Sequence, residues 1–318
     1  MIRRFLSAAA VLIAAFGCSQ PQNSNRAEAI LAEMHDPASE YVVVACHRGD
    51  WRNYPENSIP AIESIIRMGA DIMELDIKMT KDSVLVLSHD KDVLRCTNFS
   101  KLYKDQPQKS PRICDLTYDE ILGLSLKRAH GVAVDTLRMP TLREALLCCK
   151  DRICVNVDHG FDLYDEVLAL TEELGVTDQV LIKSEYSIEH VDSVLSGHER
   201  SMMYMPIVKI QKPNGAALFD SYMEKGVVPM AYEVVWKHND DSAFADACGK
   251  VLDQGSKIWV NTIWASLCGG DGNDDDAAFQ EGTQIYDQYL EKGVSMIQTD
   301  RPELLIEYLQ RRGRHTLK

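Results

Sequence analysis

Two histidines, an arginine and a set of carboxylates stand at or near the ends of apolar runs in this chain, and together they are the parts of a metal-assisted phosphoryl-transfer site. His47 and Arg48 directly follow the run 41–46, Glu74 and Asp76 stand two apart in the next run, and His89 closes a third. Side chains two apart on a strand point to the same face, so Glu74 and Asp76 present their carboxylates together. On an otherwise apolar strand such a pair is unfavourable to bury unless it meets a cation. Oxygen-only donors suit one divalent ion, Mg²⁺ or Ca²⁺, rather than zinc. The plainer alternative is that Asp76 ends the strand and Glu74 meets an arginine. Asp158, after the run 152–157, adds a third carboxylate at that face or caps the following turn. A histidine on each side of the Glu-x-Asp pair suits a general acid and a general base beside a metal. Arg48 brings permanent, planar positive charge for a phosphate.

These residues need a frame that gathers strand ends. Strand-length apolar runs lie at 41–46, 71–77, 152–157, 180–182, 202–205, 227–232, 257–261 and 294–299. Helix-like stretches at 59–68, 142–149, 163–174, 188–195, 216–225, 244–254, 284–292 and 302–311 alternate with them. Asn57 or Ser58 caps the first of these and Gly69 ends it. Thr141-x-x-Glu144 and Asp300-x-x-Glu303 read as capping boxes. Strands alternating with helices pair in parallel, and eight such units make a (β/α)8 TIM barrel, whose strand C-termini carry the chemistry. An open doubly wound sheet is the alternative, and it lacks a glycine-rich phosphate loop after the first strand.

The run 84–89 breaks the rhythm. Only about six residues separate it from the run 71–77, whereas a parallel crossover takes a dozen or more. It is therefore expected to return antiparallel from a turn at Lys81-Asp82-Ser83, and a centre between Asp82 and Ser83 pairs Asp76 with His89. Residues 92–139 fit no barrel unit. They read as a small insertion subdomain over the mouth, with one helix opening at Thr117-x-x-Glu120.

The bulk numbers agree with an enzyme that supplies positive charge locally. The chain has 318 residues, 45% hydrophobic and 26% charged, with a net charge of −14. That acidity argues against nucleic-acid partners, which need a basic footprint. Arg3 and Arg4 precede an apolar run at 5–16 and then Gly17-Cys18-Ser19, the layout of an export signal, and the run is too short to span a membrane. Cys18 after Gly17 resembles a bacterial lipobox, although Ala15 stands where Leu is usual and Phe16 where a small residue is. The expectation is a lipoprotein-type signal peptide at 1–18, a tether and short helix at 19–40, and a barrel at 41–318. The protein is then periplasmic or on the cell surface, held to a bacterial membrane by a lipid anchor at Cys18. A plain secretory signal with Cys18 incidental is the alternative. Export permits disulfides; no CxxC pair offers a zinc ribbon, and Cys46 and Cys154 fall in apolar runs as expected of buried thiols.

Taken in order, these residues resemble the glycerophosphodiester phosphodiesterase family. The match runs through His47-Arg48-Gly49, Pro55-Glu56-Asn57-Ser58, Glu74-x-Asp76, Thr80-x-Asp82, His89-Asp90 and Arg95-x-Thr97-Asn98. It continues through Leu116-Thr117-x-x-Glu120-Ile121 and Pro140-Thr141-Leu142-x-Glu144, and closes on Thr299-Asp300-Arg301-Pro302. The resemblance implies a TIM barrel with a small insertion after His89-Asp90 and one divalent ion on Glu74, Asp76 and a later carboxylate. It also implies His47 and His89 as the acid/base pair, Arg48 on phosphate, and hydrolysis of a small-molecule glycerophosphodiester to glycerol 3-phosphate and an alcohol.

The chain departs from the pattern in one half of the site. Asp158 stands where a Glu is usual, and Gly160 where a Lys is. Lys183, at the end of the next strand, or His159 would replace that cation. Glu233, read as ending the sixth strand, faces the mouth and suits substrate hydroxyls. Two other functions stay open. One is a lysophospholipase D-like activity on lysolipids, with an apolar groove from Met202, Met203, Tyr204, Met205, Trp236 and Trp264. The other is a barrel that binds phosphodiesters without turnover.

Overall fold

The computed structural model describes residues 25–104, 111–129, 131–237 and 241–317. The expected signal peptide and Cys18 lie outside them. Eight parallel strands close on themselves: β1 (Val43–His47), β2 (Ile72–Met79), β4 (Cys154–Asp158), β5 (Val180–Ser184), β6 (Met203–Lys209), β7 (Ala231–Val235), β8 (Lys257–Asn261) and β9 (Met296–Thr299). β9 pairs back to β1, and β1 to β2, which seals the TIM barrel. β1, β7 and β8 are buried along their whole length, as strands covered by helices on one side and a packed interior on the other must be.

Local signals set the helices. In Ile59–Met68, Ser58 Oγ accepts from Ala61 N and Gly69 ends the helix at φ 91°, a conformation glycine adopts without strain. Ala61, Ile62 and Ile65 of that helix are buried. Leu142–Cys149 opens on the expected Thr141–Glu144 capping box. Pro302–Arg311 closes the ring between β9 and the chain end.

The sixth run enters the sheet later than expected. Val227 and Val228 are 38% and 56% exposed; Gly226 turns at φ 66°, and Pro229 has no N–H for a ladder. The strand runs from Ala231 to Val235, so Glu233 is its middle residue and not its end.

The hairpin also differs. β3 (Leu85–Leu87) returns antiparallel on β2, but Ile77 faces Leu87 and Met79 faces Leu85. Thr80 N donates to Val84 O and Ser83 sits at φ 62°, a three-residue loop centred on Asp82. Asp76 therefore faces Ser88, whose N–H donates to Asp76 O at 3.0 Å, and His89 lies one residue further on.

Between β3 and Pro140 a separate small core forms around Val86, Val93, Ile113, Ile121, Leu124, Leu126 and Met139. Its helix Tyr118–Leu122 starts at the Thr117–Glu120 capping box. Tyr118 N donates to Asp82 Oδ1, which ties this core to the hairpin tip. At the opposite end of the barrel, helix Arg26–His35 crosses the strand N-termini. Arg26 donates to Gly69 O and Ala70 O and pairs with the buried Asp71 at 2.9 Å. The cysteines from Cys46 to Cys268 are free thiols, Cys46 and Cys154 buried among them.

Candidate active site

The C-terminal end of β1 delivers His47, 6% exposed. Its Nδ1 lies 2.7 Å from Asp300 Oδ1, and Trp51 Nε1 donates to the same oxygen at 2.6 Å. Asp300 N in turn donates to Asp275 Oδ2 at 2.6 Å. The sequence made Asp300 a helix cap. Arg301 takes the cap position without a side-chain bond, and the Asp300 carboxylate holds His47 instead. Its place in Thr299-Asp300-Arg301-Pro302 was the available signal.

Arg48 turns the chain at φ 56°, so that its N–H reaches Glu74 O at 3.0 Å and Glu74 Oε2 at 2.9 Å. Its guanidinium Nε lies 3.3 Å from Asp76 Oδ2, and Nη1 3.3 Å from Glu56 Oε1. A Cβ at Gly49, φ 75°, would come within 3.0 Å of Ala61 Cβ, so this turn requires glycine.

Strand register brings the carboxylates together: His47 lies beside Glu74, and Asp76 beside Asp158. One oxygen from each of Glu74, Asp76 and Asp158 lies within 4.8 Å of the others. Asn57, at φ 54°, is not the cap either. Its Nδ2 donates to Asp76 Oδ2 at 2.9 Å and its Oδ1 accepts from Asp76 N. Burial, and then the neighbouring Asp76 and Asp158, push the Glu74 carboxyl well above the usual range. A cation reverses that penalty. Glu74 and Asp76 are each fixed through one oxygen, the way outer donors orient metal ligands. The all-oxygen set fits one hard divalent ion.

His89 lines the same cavity of about 210 Å³ as His47, Arg48 and the three carboxylates. The chain leaves the sheet at Leu87, so the shifted register does not dictate where the His89 side chain points. Its Nδ1 lies 2.8 Å from Asp90 Oδ1. Burial raises the Asp90 carboxyl, but hydrogen bonds from Arg95 and His89 outweigh this and hold it at about 2.

The other half of the cavity is a polar chain inside the barrel. Lys183 Nζ donates to Glu233 Oε2 at 2.6 Å, Asn261 Nδ2 to Glu233 Oε1 at 2.7 Å, and Trp259 Nε1 to Asn261 Oδ1 at 2.7 Å. Burial pulls the Lys183 ammonium down, but Glu233 and Asp158 prevail and its pKa stands above the ordinary value. Gly160 brings no side chain into the site, and a Cβ there would come within 2.7 Å of Ile182 Cδ1. Of the two replacement cations, Lys183 sits in the interior, whereas His159 is 56% exposed at the rim, 3.5 Å from Asp158. Trp264 is half exposed and stands edge-on to His47 at 5.4 Å. Of the other residues that the lysolipid alternative would use for an apolar groove, Met202 and Met205 are in the core, Met203 and Tyr204 are half-buried against it, and Trp236 stacks on Phe244 at 3.7 Å.

Residues 47–219, more than half of the chain, match the Glycerophosphoryl diester phosphodiesterase family. The chain belongs to that family. Residues 204–309 match a second model, described as a domain of unknown function. The three-carboxylate half of this phosphodiesterase-family site thus falls in the first match, and Glu233, Asn261, Trp264 and Asp300 in the second. A curated glycerophosphodiester phosphodiesterase from Caldanaerobacter subterraneus is 30% identical over 171 residues, 51% of this chain and 66% of that relative. Less than two thirds of its length is therefore shared. A glycerophosphoryl diester phosphodiesterase from Parabacteroides distasonis has the same fold, with a TM-score of 0.72 at 19% identity over 90% of this chain and 92% of that one. A phosphodiesterase from Oleispira antarctica, solved with the product sn-glycerol-3-phosphate, gives 0.59 at 16% identity over 84% of this chain and 96% of that one.

Proposed function

We propose that this chain is a metal-dependent hydrolase of glycerophosphodiesters, releasing glycerol 3-phosphate and an alcohol in the breakdown of lipid-derived phosphodiesters. The observation that carries the reading is the cluster of Glu74, Asp76 and Asp158, flanked by two histidines that each have Nδ1 against an aspartate. Glu74, Asp76 and Asp158 would hold one divalent ion, Mg²⁺ or Ca²⁺, which would supply charge to offset the phosphate and acidify the attacking hydroxyl.

The chain's own residues do the rest. Arg48 binds a non-bridging phosphate oxygen. With Nδ1 of each ring held against an aspartate, proton exchange falls to Nε2. One histidine takes a proton from the attacking hydroxyl, either water or the glycerol 2-hydroxyl by way of a cyclic phosphate; the other gives one to the leaving alcohol. Lys183, Glu233 and Asn261 offer donors and acceptors to the glycerol hydroxyls.

Release of the head-group alcohol tests this, measured on glycerophosphocholine, glycerophosphoethanolamine and glycerophosphoglycerol, with glycerol 3-phosphate as co-product, beside choline release from lysophosphatidylcholine. Turnover confined to the lysolipid supports the lysophospholipase D-like reading, for which Trp264 is the exposed apolar contact. Metal binding with no turnover of any diester supports a binding barrel. The reading also includes export and a lipid anchor at Cys18, supported by residues 1–18. Membrane association that persists in Cys18→Ala argues against the anchor.

A further inference from the structure

Arg95 comes from the insertion, yet its guanidinium meets both sides of the catalytic rim. Nη1 and Nη2 donate to Glu56 Oε2 and Oε1 at 2.5 and 2.8 Å. Nε and Nη2 donate to Asp90 Oδ2 and Oδ1 at 2.7 and 3.1 Å. Glu56 is the carboxylate beside Arg48, and Asp90 the one that holds His89 Nδ1. One unbroken series of charged contacts therefore runs Arg48, Glu56, Arg95, Asp90, His89. A guanidinium presents its donors in a planar fork and grips two carboxylates side-on; an ammonium does not.

The insertion is built to hold this residue still. Val93, Cys96 and Thr97 around it are buried. Lys127 N donates to Cys96 O and Lys127 Nζ to Leu94 O, while Thr97 Oγ1 donates to Val93 O. An exposed ion pair is ordinarily worth little, and the Arg95 side chain is 48% exposed. Its partners are not of that kind: Glu56 is 12% exposed, and each carboxylate is also bound to a site residue. Arg95 also outweighs the burial that would raise both carboxyls, holding Glu56 below the usual range.

We propose that Arg95 is a positioning residue, which fixes His89 and Arg48 relative to one another through Asp90 and Glu56, and that presenting it is a task of the insertion. The inference rests on the phosphodiesterase reading. The test is steady-state kinetics of Arg95→Ala and Arg95→Lys on a glycerophosphodiester that the wild type hydrolyses, with melting curves and with added guanidinium chloride. The expected result is a loss in kcat/KM of roughly 10–100-fold in both variants, seen in kcat through His89 and in KM through Arg48. Melting temperature stays close to wild type, and guanidinium, unlike sodium chloride at equal strength, partly restores Arg95→Ala. In an Asp90→Asn background, Arg95→Ala adds little further loss in kcat, since linked groups are not additive. Wild-type kcat/KM in Arg95→Ala, or fully additive losses in kcat without guanidinium rescue, would overturn the inference while leaving the functional reading intact. A wild type that hydrolyses no glycerophosphodiester overturns both.

Discussion

His47 Nδ1 lies 2.7 Å from Asp300 Oδ1 across the seam where β1 and β9 close the barrel. The contact fixes the ring and leaves proton exchange to Nε2. His89 stands in the same relation to Asp90 at 2.8 Å, but the settings differ. The Asp300 side chain is 5% exposed and also accepts from Trp51, whereas Asp90 is 25% exposed.

Asp300→Asn puts an amide where the imidazole needs a carboxylate, and favours the wrong tautomer of His47. We predict that kcat falls by roughly 10²–10⁴-fold, close to the loss in His47→Ala, with a small change in KM. Stopped-flow or steady-state assays on the two variants check this; a kcat near wild type in Asp300→Asn contradicts the orienting role.

Lys183 and Glu233 form a buried pair at 2.6 Å, 7% and 4% exposed. Glu233→Gln leaves the ammonium without its carboxylate inside the barrel, a loss of about 3–5 kcal/mol in unfolding free energy. Urea denaturation measures it. The double variant Lys183→Met/Glu233→Leu should regain most of the stability and still show a raised KM, because the groups proposed for the glycerol hydroxyls are gone. Full substrate affinity in the double variant would remove this pair from the site.

Asp275 accepts from Thr262, Tyr286 and Thr299 side chains and from Asp300 N. Burial nevertheless pushes its carboxyl from 3.8 to about 6. A raised folded-state value means that the contribution to stability is full below about pH 4 and is lost as pH rises through about 6. That change corresponds to about 3 kcal/mol. The stability difference between wild type and Asp275→Asn should therefore shift against the wild type between pH 4 and pH 7. Denaturant midpoints across that range test it, and a difference independent of pH contradicts it.

The barrel was legible because its signals are local. Buried parallel strands read as continuous apolar runs, and Ser58, Thr141 and Gly69 mark helix ends by their own chemistry. What escaped depended on partners far away in sequence. Asn57 and Asp300 are ordinary cap residues by type; only the fold brings Asn57 to Asp76 and Asp300 to His47. The hairpin was placed, but Ser83 at φ 62° made its loop odd-numbered and moved Asp76 opposite Ser88. Val227 and Val228 look like strand and are exposed, because hydrophobicity alone does not show where Pro229 lets the ladder begin. Glu74, Asp76 and Asp158 were legible, because a carboxylate in or just after an apolar strand gains nothing from packing and must meet a cation or a donor there.

Glycerophosphodiester hydrolysis by chelated and reconstituted protein bears on the metal and on the reaction together. Glycerol 3-phosphate release is followed after EDTA treatment, and again after Mg²⁺ or Ca²⁺ is added back, in wild type and in Glu74→Gln. We expect activity abolished by EDTA, restored by one of the two ions in the wild type, and lost by roughly 10²-fold or more in Glu74→Gln at any ion concentration. Undiminished turnover in excess chelator, or wild-type rates in Glu74→Gln, would contradict metal-dependent hydrolysis at this site.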